Sequence, residues 1–108
     1  MVAIAKLDEL RTIAFGDISA AYAAVGSASE HLIRIFCITN NTEGDMLFTT
    51  NNTRDELFVP AGCFKLIDVQ SNMNAQFDDK YVLPIGTQFY VKQSTAPVSG
   101  DVYIEFFY

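Results

Sequence analysis

The chain has 108 residues, half of them hydrophobic and 13% aromatic, which indicates one folded domain and excludes a disordered tail or linker. Thirteen acidic residues against seven lysines and arginines give a net charge of −6. Such a surface repels phosphates, and the cations are scattered along the chain, so we expect no nucleic-acid partner.

The N-terminal residues predict an arm that lies outside the main domain. Apolar residues recur there at a three-residue spacing, at Ile4, Leu7 and Leu10, which favours a short helical turn. We therefore predict an arm over residues 1–9. Charged residues interrupt this segment where a signal peptide needs an unbroken apolar run, and no apolar run elsewhere is long enough to cross a bilayer. We expect synthesis in a cytosol and no membrane partner.

Residues 10–108 predict a single all-β domain with antiparallel strands. A first strand is predicted over residues 10–19. Beyond residue 30, short runs rich in β-branched and aromatic residues alternate with Gly, Pro, Asn and Asp at intervals of about ten residues, which is typical of a sandwich or barrel. These runs are LIRIFCIT (32–39), DMLFT (45–49), ELFVP (56–60), CFKLIDV (63–69), TQFYVKQ (87–93) and DVYIEFFY (101–108).

The connecting segments have the composition of turns. NNTEGD (40–45) and NNTRD (51–55) supply Asn and Gly for positive φ angles, VPAG (59–62) forms a corner, and PVSGD (97–101) returns the chain to the last strand. The stretch 70–80 is predicted to be a flexible loop, with Phe77 as its one large apolar anchor. Two Asn-x-Thr patterns within these turns match a glycan acceptor, but without a secretory signal we interpret them as coincidence.

Several strands are apolar on both faces, which predicts that something covers the outer faces. In the first long strand Ile33, Ile35, Cys37 and Thr39 share one face, and Leu32, Arg34, Phe36 and Ile38 share the other. In the last strand Val102, Ile104 and Phe106 oppose Tyr103, Glu105 and Phe107. We take Phe36, Ile38, Tyr103 and Phe107 to lie on the faces directed to solvent.

Two interpretations of these faces stay open. Either the arm and the long loop cover them within the chain, or another protein does, because monomers seldom expose large apolar patches. The second interpretation gives a set of candidate protein-interface residues: Ile4, Leu7, Leu32, Phe36, Ile38, Phe77, Tyr103, Phe107 and Tyr108.

The sequence contains no recognisable catalytic or cofactor-binding motif. Glu43 and Asp45 lack the spacing of a calcium loop, and His31 is the one histidine, so no familiar zinc site can be assembled with Cys37 and Cys63. We interpret both cysteines as buried reduced thiols, with a disulfide between neighbouring strands as the alternative. We predict no enzyme activity, no cofactor and no metal, with a structural ion bound between turns as the alternative.

An ordered set of segments resembles a group of small virion proteins of tailed bacteriophages. The segments are LRTIAFGDISAAYAAVG, RIFCITNNTEGDMLFT, FVPAGCFKLIDVQSN, LPIGTQFYVKQ and APVSGDVYIEFFY, and they cover nearly the whole chain. This sequence departs from the group's pattern at TTNNTRDELF, where Asn51 and Asn52 stand in place of a glycine-bearing turn.

The resemblance implies a jelly-roll-like β-sandwich that functions as a structural part of a virion. The leading hypothesis is a capsid decoration or cement protein that buries apolar β-surface between subunits of the major capsid protein. The alternatives are a ring subunit of the head–tail connector or tail adaptor, bound to portal-associated proteins, and a virion-exposed receptor- or carbohydrate-binding module. A homo-oligomer is expected in the virion, after synthesis in the bacterial host cytoplasm.

Overall fold

Two antiparallel four-stranded sheets pack on each other as a sandwich in this computed structural model, which describes residues 6–69 and 82–108. Sheet A contains, in spatial order, β1 (Arg11–Ala14), β8 (Gly100–Phe107), β3 (Ile35–Thr42) and β6 (Phe64–Asp68). Sheet B contains β2 (Ala23–Ala24), β7 (Tyr90–Gln93), β4 (Met46–Thr49) and β5 (Leu57–Val59). A short 3-10 turn over Phe15–Asp17 follows β1. The predicted all-β antiparallel sandwich is confirmed.

The strands pair in a nested order. The first pairs with the eighth, the second with the seventh, the third with the sixth and the fourth with the fifth. Two further pairings, β3 with β8 and β4 with β7, complete the two sheets. A long hairpin folded over itself gives this order, and the jelly-roll-like detail of the expected fold stays a prediction.

The core lies between the sheets and draws alternate residues from the long strands. Its fully buried large side chains include Phe48 and Met46 from sheet B and Phe106, Ile104 and Ile38 from sheet A. Alternation of this kind follows from the two-residue period of a strand. In β8 the predicted division holds, because Val102, Ile104 and Phe106 are buried and their neighbours point outward.

In β3 the two faces are the reverse of the prediction. Phe36 is 5% exposed and Ile38 is 0% exposed, so both belong to the core, and Ile35 and Cys37 lie on the outer face. Both sets of alternate residues are apolar, so hydrophobicity alone could not decide between them. The buried phase continues through two polar residues, Asn40 and Thr42, beyond the predicted end of the strand.

The buried amide of Asn40 joins the two sheets at this end of the sandwich. Its nitrogen donates to the carbonyl oxygens of Gly44 at 2.8 Å and Val59 at 3.0 Å. Its oxygen accepts from the Thr42 hydroxyl at 2.7 Å and from the Thr42 backbone nitrogen at 3.2 Å. The first Asn-x-Thr pattern is therefore strand and core, where a turn was predicted, and a buried Asn40 cannot accept a glycan.

Other predicted turns adopt the expected backbone conformations. Gly62 has φ of 71°, and the Cys63 nitrogen donates to the Pro60 carbonyl at 3.1 Å, which closes a β-turn at the VPAG corner. Asn52 has φ of 62°, so an asparagine takes the left-handed conformation at the turn where the resemblance implied a glycine. The stretch 70–80 lies outside the described residues.

Residues 6–8 run as an extended segment beside β8, which corrects the helical turn predicted for this part of the arm. The Lys6 nitrogen donates to the Tyr108 carbonyl, and the Asp8 nitrogen donates to the Phe106 carbonyl at 3.0 Å. Leu7 pairs with Phe107 in an isolated antiparallel bridge. These residues extend the edge of sheet A, and they do not fold over its outer face.

Both cysteines are free thiols. Neither is buried as predicted, because Cys37 is partly exposed on the outer face of β3 and Cys63 is exposed at the VPAG corner. No helix among the described residues is long and apolar enough to cross a membrane.

Candidate protein-binding surface

The outer face of sheet A, on the side away from the core, is rich in exposed apolar residues. Strand pairing places residues of β6, β3 and β8 in rows across this face: Phe64 with Thr39 and Tyr103, Leu66 with Cys37 and Glu105, and Asp68 with Ile35 and Phe107. Leu7 extends the last row through its bridge to Phe107. The apolar side chains therefore form one continuous surface.

Four of these apolar side chains are more than half exposed. The exposed fraction is 73% for Leu7 and 54% for Leu10 on the N-terminal side, and 69% for Phe64 and 58% for Leu66 on β6. Single exposed apolar residues are ordinary, but a contiguous apolar patch marks an interaction site on a soluble protein. We therefore take the outer face of sheet A as the candidate protein-binding surface.

The structure brings only part of the predicted interface set to this face. Leu7, Tyr103 and Phe107 lie on it. Leu32 is 51% exposed but lies in the connection before β3. Tyr108 is partly buried, and its ring stacks on that of His31 at a centroid distance of 3.5 Å.

The interface prediction is wrong for two residues, and two others lie outside the part of the chain that the structure describes. Phe36 and Ile38 are core residues, so they cannot contact a partner without unfolding of the sheet. Ile4 and Phe77 lie outside the described residues.

The prediction missed Leu10, Phe64 and Leu66. A charged residue such as Lys65 usually points to solvent, which favours an inward direction for its neighbours in β6. Strand pairing instead places Lys65 opposite buried Ile38, on the same inward side as Ile67. Phe64 and Leu66 point outward because of the pairing with β3, and the sequence of β6 alone carries no signal for this.

A one-residue change of register creates a groove at the edge of the face. Leu7 lies opposite Phe107 and Arg11 lies opposite Ile104, so three residues, 8–10, span the distance covered by two residues of β8. This is the residue count of a β-bulge, a feature over-represented beside functional sites. The groove has a volume of about 440 Å³ and is lined by Leu7, Asp8, Leu10, Thr39, Tyr103, Glu105 and Phe106.

Asp8 fixes the backbone of the bulge. Its carboxylate accepts from the Glu9 nitrogen at 2.7 Å and lies 3.2 Å from the Arg11 guanidinium and 3.4 Å from His31 Nδ1. Burial opposes ionisation of Asp8, but these hydrogen bonds and the guanidinium charge outweigh it and hold its pKa below the usual value. Asp8 is therefore engaged within the chain.

Arg11 is the buried counterpart of Asp8. Its side chain is 2% exposed and donates to the carbonyl oxygens of Ser27 at 3.0 Å, Ala28 at 2.9 Å and Glu9. The guanidinium also lies 4.9 Å from the centre of the Phe106 ring. A buried cation with this many partners fixes its surroundings, so the groove is a preformed feature of the fold.

Comparison of the chain with models of protein families, with curated proteins and with solved structures finds no match. The resemblance to tailed-phage virion proteins therefore stays a prediction from the order of its motifs. The physical chemistry of the surface is the second, independent line of inference about function.

The charges on the outer face of sheet A are acidic. Asp101 and Glu105 project from β8 and Asp68 from β6, and no lysine or arginine shares their phase in the described strands. Tyr103 donates to Asp101 at 3.3 Å, and the negative charge of Asp101 raises the pKa of that phenol. The surface is therefore apolar with an acidic character.

The described residues contain no evident chemical site. Within residues 6–69 and 82–108, no three His, Cys, Asp or Glu side chains lie close enough to hold a metal ion. His31 is used in contacts with Asp8 and Tyr108. Glu43 accepts three hydrogen bonds, from Ser99 Oγ and from the Val98 and Ser99 nitrogens, all at 2.6 Å, and so anchors the loop before β8.

Proposed function

We propose that this chain is a structural protein of a tailed-bacteriophage virion, specifically a capsid decoration or cement protein. The observation that carries the proposal is the continuous apolar surface on the outer face of sheet A. The ordered motifs shared with small virion proteins support the phage context, and the sandwich fold suits a part that works through its surfaces.

The size of the exposed apolar set favours a protein that acts in many copies. Full burial of one large apolar side chain stabilises by roughly 1.5–3 kcal/mol, so the exposed parts of Leu7, Leu10, Phe64 and Leu66 offer about 4–8 kcal/mol. Association of two proteins costs an estimated ~4–15 kcal/mol in lost freedom of motion. A single contact would be weak, whereas linked copies on a repeating shell add avidity.

The copy number of the protein in purified particles tests the proposal. A cement protein is present in numbers comparable with the major capsid protein, whereas a connector or adaptor ring contributes only one ring per particle. Gel densitometry against the major capsid protein separates the two. Absence of the chain from particles would reject both virion roles.

Phe107→Ser tests whether the outer face makes the contact. Phe107 lies on this face between Ile35 and Leu7 and is only partly buried. The change should lower occupancy on the particle more than it lowers the solubility of the isolated protein. Equal loss of both would mean that Phe107 contributes only to the fold.

A further inference from the structure

We infer that the groove beside the bulge binds an arginine or lysine side chain within an apolar segment of a different protein. The groove is the one lined by Leu7, Leu10, Tyr103 and Glu105 on the outer face of sheet A. This inference rests on the proposed function in one respect, since it takes that face to be the surface that docks.

Glu105 is the group that sets the chemistry of the partner. It is exposed near the middle of β8, with Cys37 of β3 opposite and the three-residue bulge on its other side. Within the described part of the chain the side chain of Glu105 makes no hydrogen bond or ion pair, whereas the carboxylate of the neighbouring Asp8 makes several. A carboxylate without a counter-ion therefore stands among exposed apolar side chains.

Docking removes water from this carboxylate. Burial of an unpaired charge costs several kcal/mol, which would cancel most of what the surrounding apolar contacts contribute. A partner that places a cation beside Glu105 avoids this cost and also gains orientation and a faster encounter. Arginine suits the position best, because its planar head can make two hydrogen bonds to a carboxylate.

The dimensions of the groove fit one long cationic side chain and its neighbours. Its volume of about 440 Å³ lies in the range of small binding pockets. Leu7 and Leu10 form an apolar wall along which the methylene groups of lysine or arginine can pack while the charged end reaches Glu105.

A second copy of the same chain is a poor occupant of this face. Two-fold pairing would bring identical surfaces together, so that Glu105 and Asp101 of one copy would meet the acidic side chains of the other. The described strands of this face offer no cation in return, so electrostatic repulsion opposes such a dimer. The charge pattern therefore favours a different protein as the partner.

The test uses the whole isotopically labelled chain and two synthetic peptides. One is an acetylated, amidated threonine-leucine-arginine-valine-threonine, and the other replaces arginine with citrulline, which has nearly the same shape but no charge. We expect amide shifts in NMR spectra at Leu10, Tyr103 and Glu105, with the citrulline peptide binding about tenfold more weakly because it lacks the charge-assisted hydrogen bonds. Equal affinities, or shifts confined to other parts of the molecule, would overturn the inference.

Glu105→Gln supplies the matched protein variant. The side chain is exposed and makes no contact that the fold needs, so the variant should fold like the parent. It should bind the two peptides equally well, whereas Asp17→Asn, an exposed acid that does not line the groove, should keep the preference for arginine. Retention of that preference in Glu105→Gln would contradict the role given to Glu105.

Two further results separate this inference from the proposed function. If the chain is absent from particles but still prefers the arginine peptide through Glu105, the virion role fails and the groove inference stands. If the chain occupies particles and Glu105→Gln binds them as well as the parent does, the virion role stands and the groove inference fails. Sedimentation that shows a dimer through this face would also overturn it.

Discussion

The outer faces of the two sheets differ in how their charges are partnered. On sheet B, Lys92 lies 3.0 Å from the Asp55 carboxylate and 4.8 Å above the Tyr22 ring, and the Tyr22 hydroxyl donates to Asp55. On the described part of sheet A, Glu105 has no cation beside it, and the exposed apolar residues are more numerous and adjacent. The Lys92 and Asp55 charges on sheet B are partnered within the chain, whereas Glu105 on the described part of sheet A is unpaired among exposed apolar residues.

The comparison shows why exposure alone is a poor guide to interaction. Phe58 is 43% exposed on sheet B, so an exposed phenylalanine occurs on both outer faces. The two faces differ in what surrounds the exposed phenylalanine. An interaction surface also needs adjacent exposed apolar residues and charges that a partner can complement. The following changes test that difference, beginning with the one of largest effect.

Asn40→Ala should destabilise both faces together, because it removes the buried link between the sheets. The change leaves the Val59 carbonyl without its side-chain donor and leaves the Gly44 carbonyl with only the Thr42 hydroxyl, so we expect the free energy of unfolding to fall by about 2–4 kcal/mol. Urea denaturation measures this. Asn41→Ala, at the exposed neighbouring position, is the control, and a similar loss in both variants would refute the linking role.

Phe64→Ser and Phe58→Ser compare the two faces directly. Both residues lie on edge strands, Phe64 in sheet A and Phe58 in sheet B. We expect Phe64→Ser to weaken binding to particles about thirtyfold, the size expected when a central aromatic contact of about 2 kcal/mol is lost. Phe58→Ser should leave binding unchanged in the same co-sedimentation assay, and the opposite order would place the contact on sheet B.

Glu43→Gln and Glu105→Gln compare an engaged carboxylate with one that has no partner. The hydrogen bonds from Ser99 Oγ and from the Val98 and Ser99 nitrogens lower the pKa of Glu43 from 4.5 to about 2. A lowered pKa in the folded state stabilises the fold above about pH 4.5, and this contribution is lost as the pH falls through about 2.

Glu43→Gln should therefore lower the thermal midpoint at neutral pH, and the difference from the parent should shrink towards pH 2. Glu105→Gln should leave the midpoint unchanged throughout. A difference for Glu43→Gln that does not depend on pH would show that the charge of Glu43 is not what holds the loop before β8.

Asp55→Asn should produce the smallest effect, confined to sheet B. Burial and the hydrogen bond to Asp55 raise the pKa of Tyr22 above its usual value of 10. The contribution of Tyr22 to stability is therefore complete below pH 10 and is lost as the pH rises further. Asp55→Asn should lower the pKa of Tyr22, measured by NMR of the ring carbons, and Glu105→Gln should not.

The sequence predicts the class of fold better than the details of pairing. Runs at ten-residue intervals located β3 to β8, although β3 begins at Ile35 and extends to Thr42, three residues beyond the predicted range. β2 is two alanines long, Ala23 and Ala24, and carries no periodic signal of its own. Its position comes from pairing with Val91 and Tyr90, far along the chain.

The candidate surface was only partly predictable for the same reason. Tyr103 and Phe107 follow from alternation in one strand, but the groove depends on a register change between segments almost a hundred residues apart. The lack of a partner for Glu105 is likewise a property of its neighbours in space. No pattern within a single segment contains that information.

The place of β8 in sheet A has a consequence for how the protein is made. β8 lies between β1 and β3, so until β8 is synthesised β1 has no neighbour in the sheet and β3 has only β6 beside it. Sheet A can then be completed only after β8 has been synthesised, through contacts distant in sequence, which is a slow route to the native state. A chain that stops before Gly100 would leave one edge of β1 and one edge of β3 unpaired, so the hydrogen bonding of both strands depends on β8.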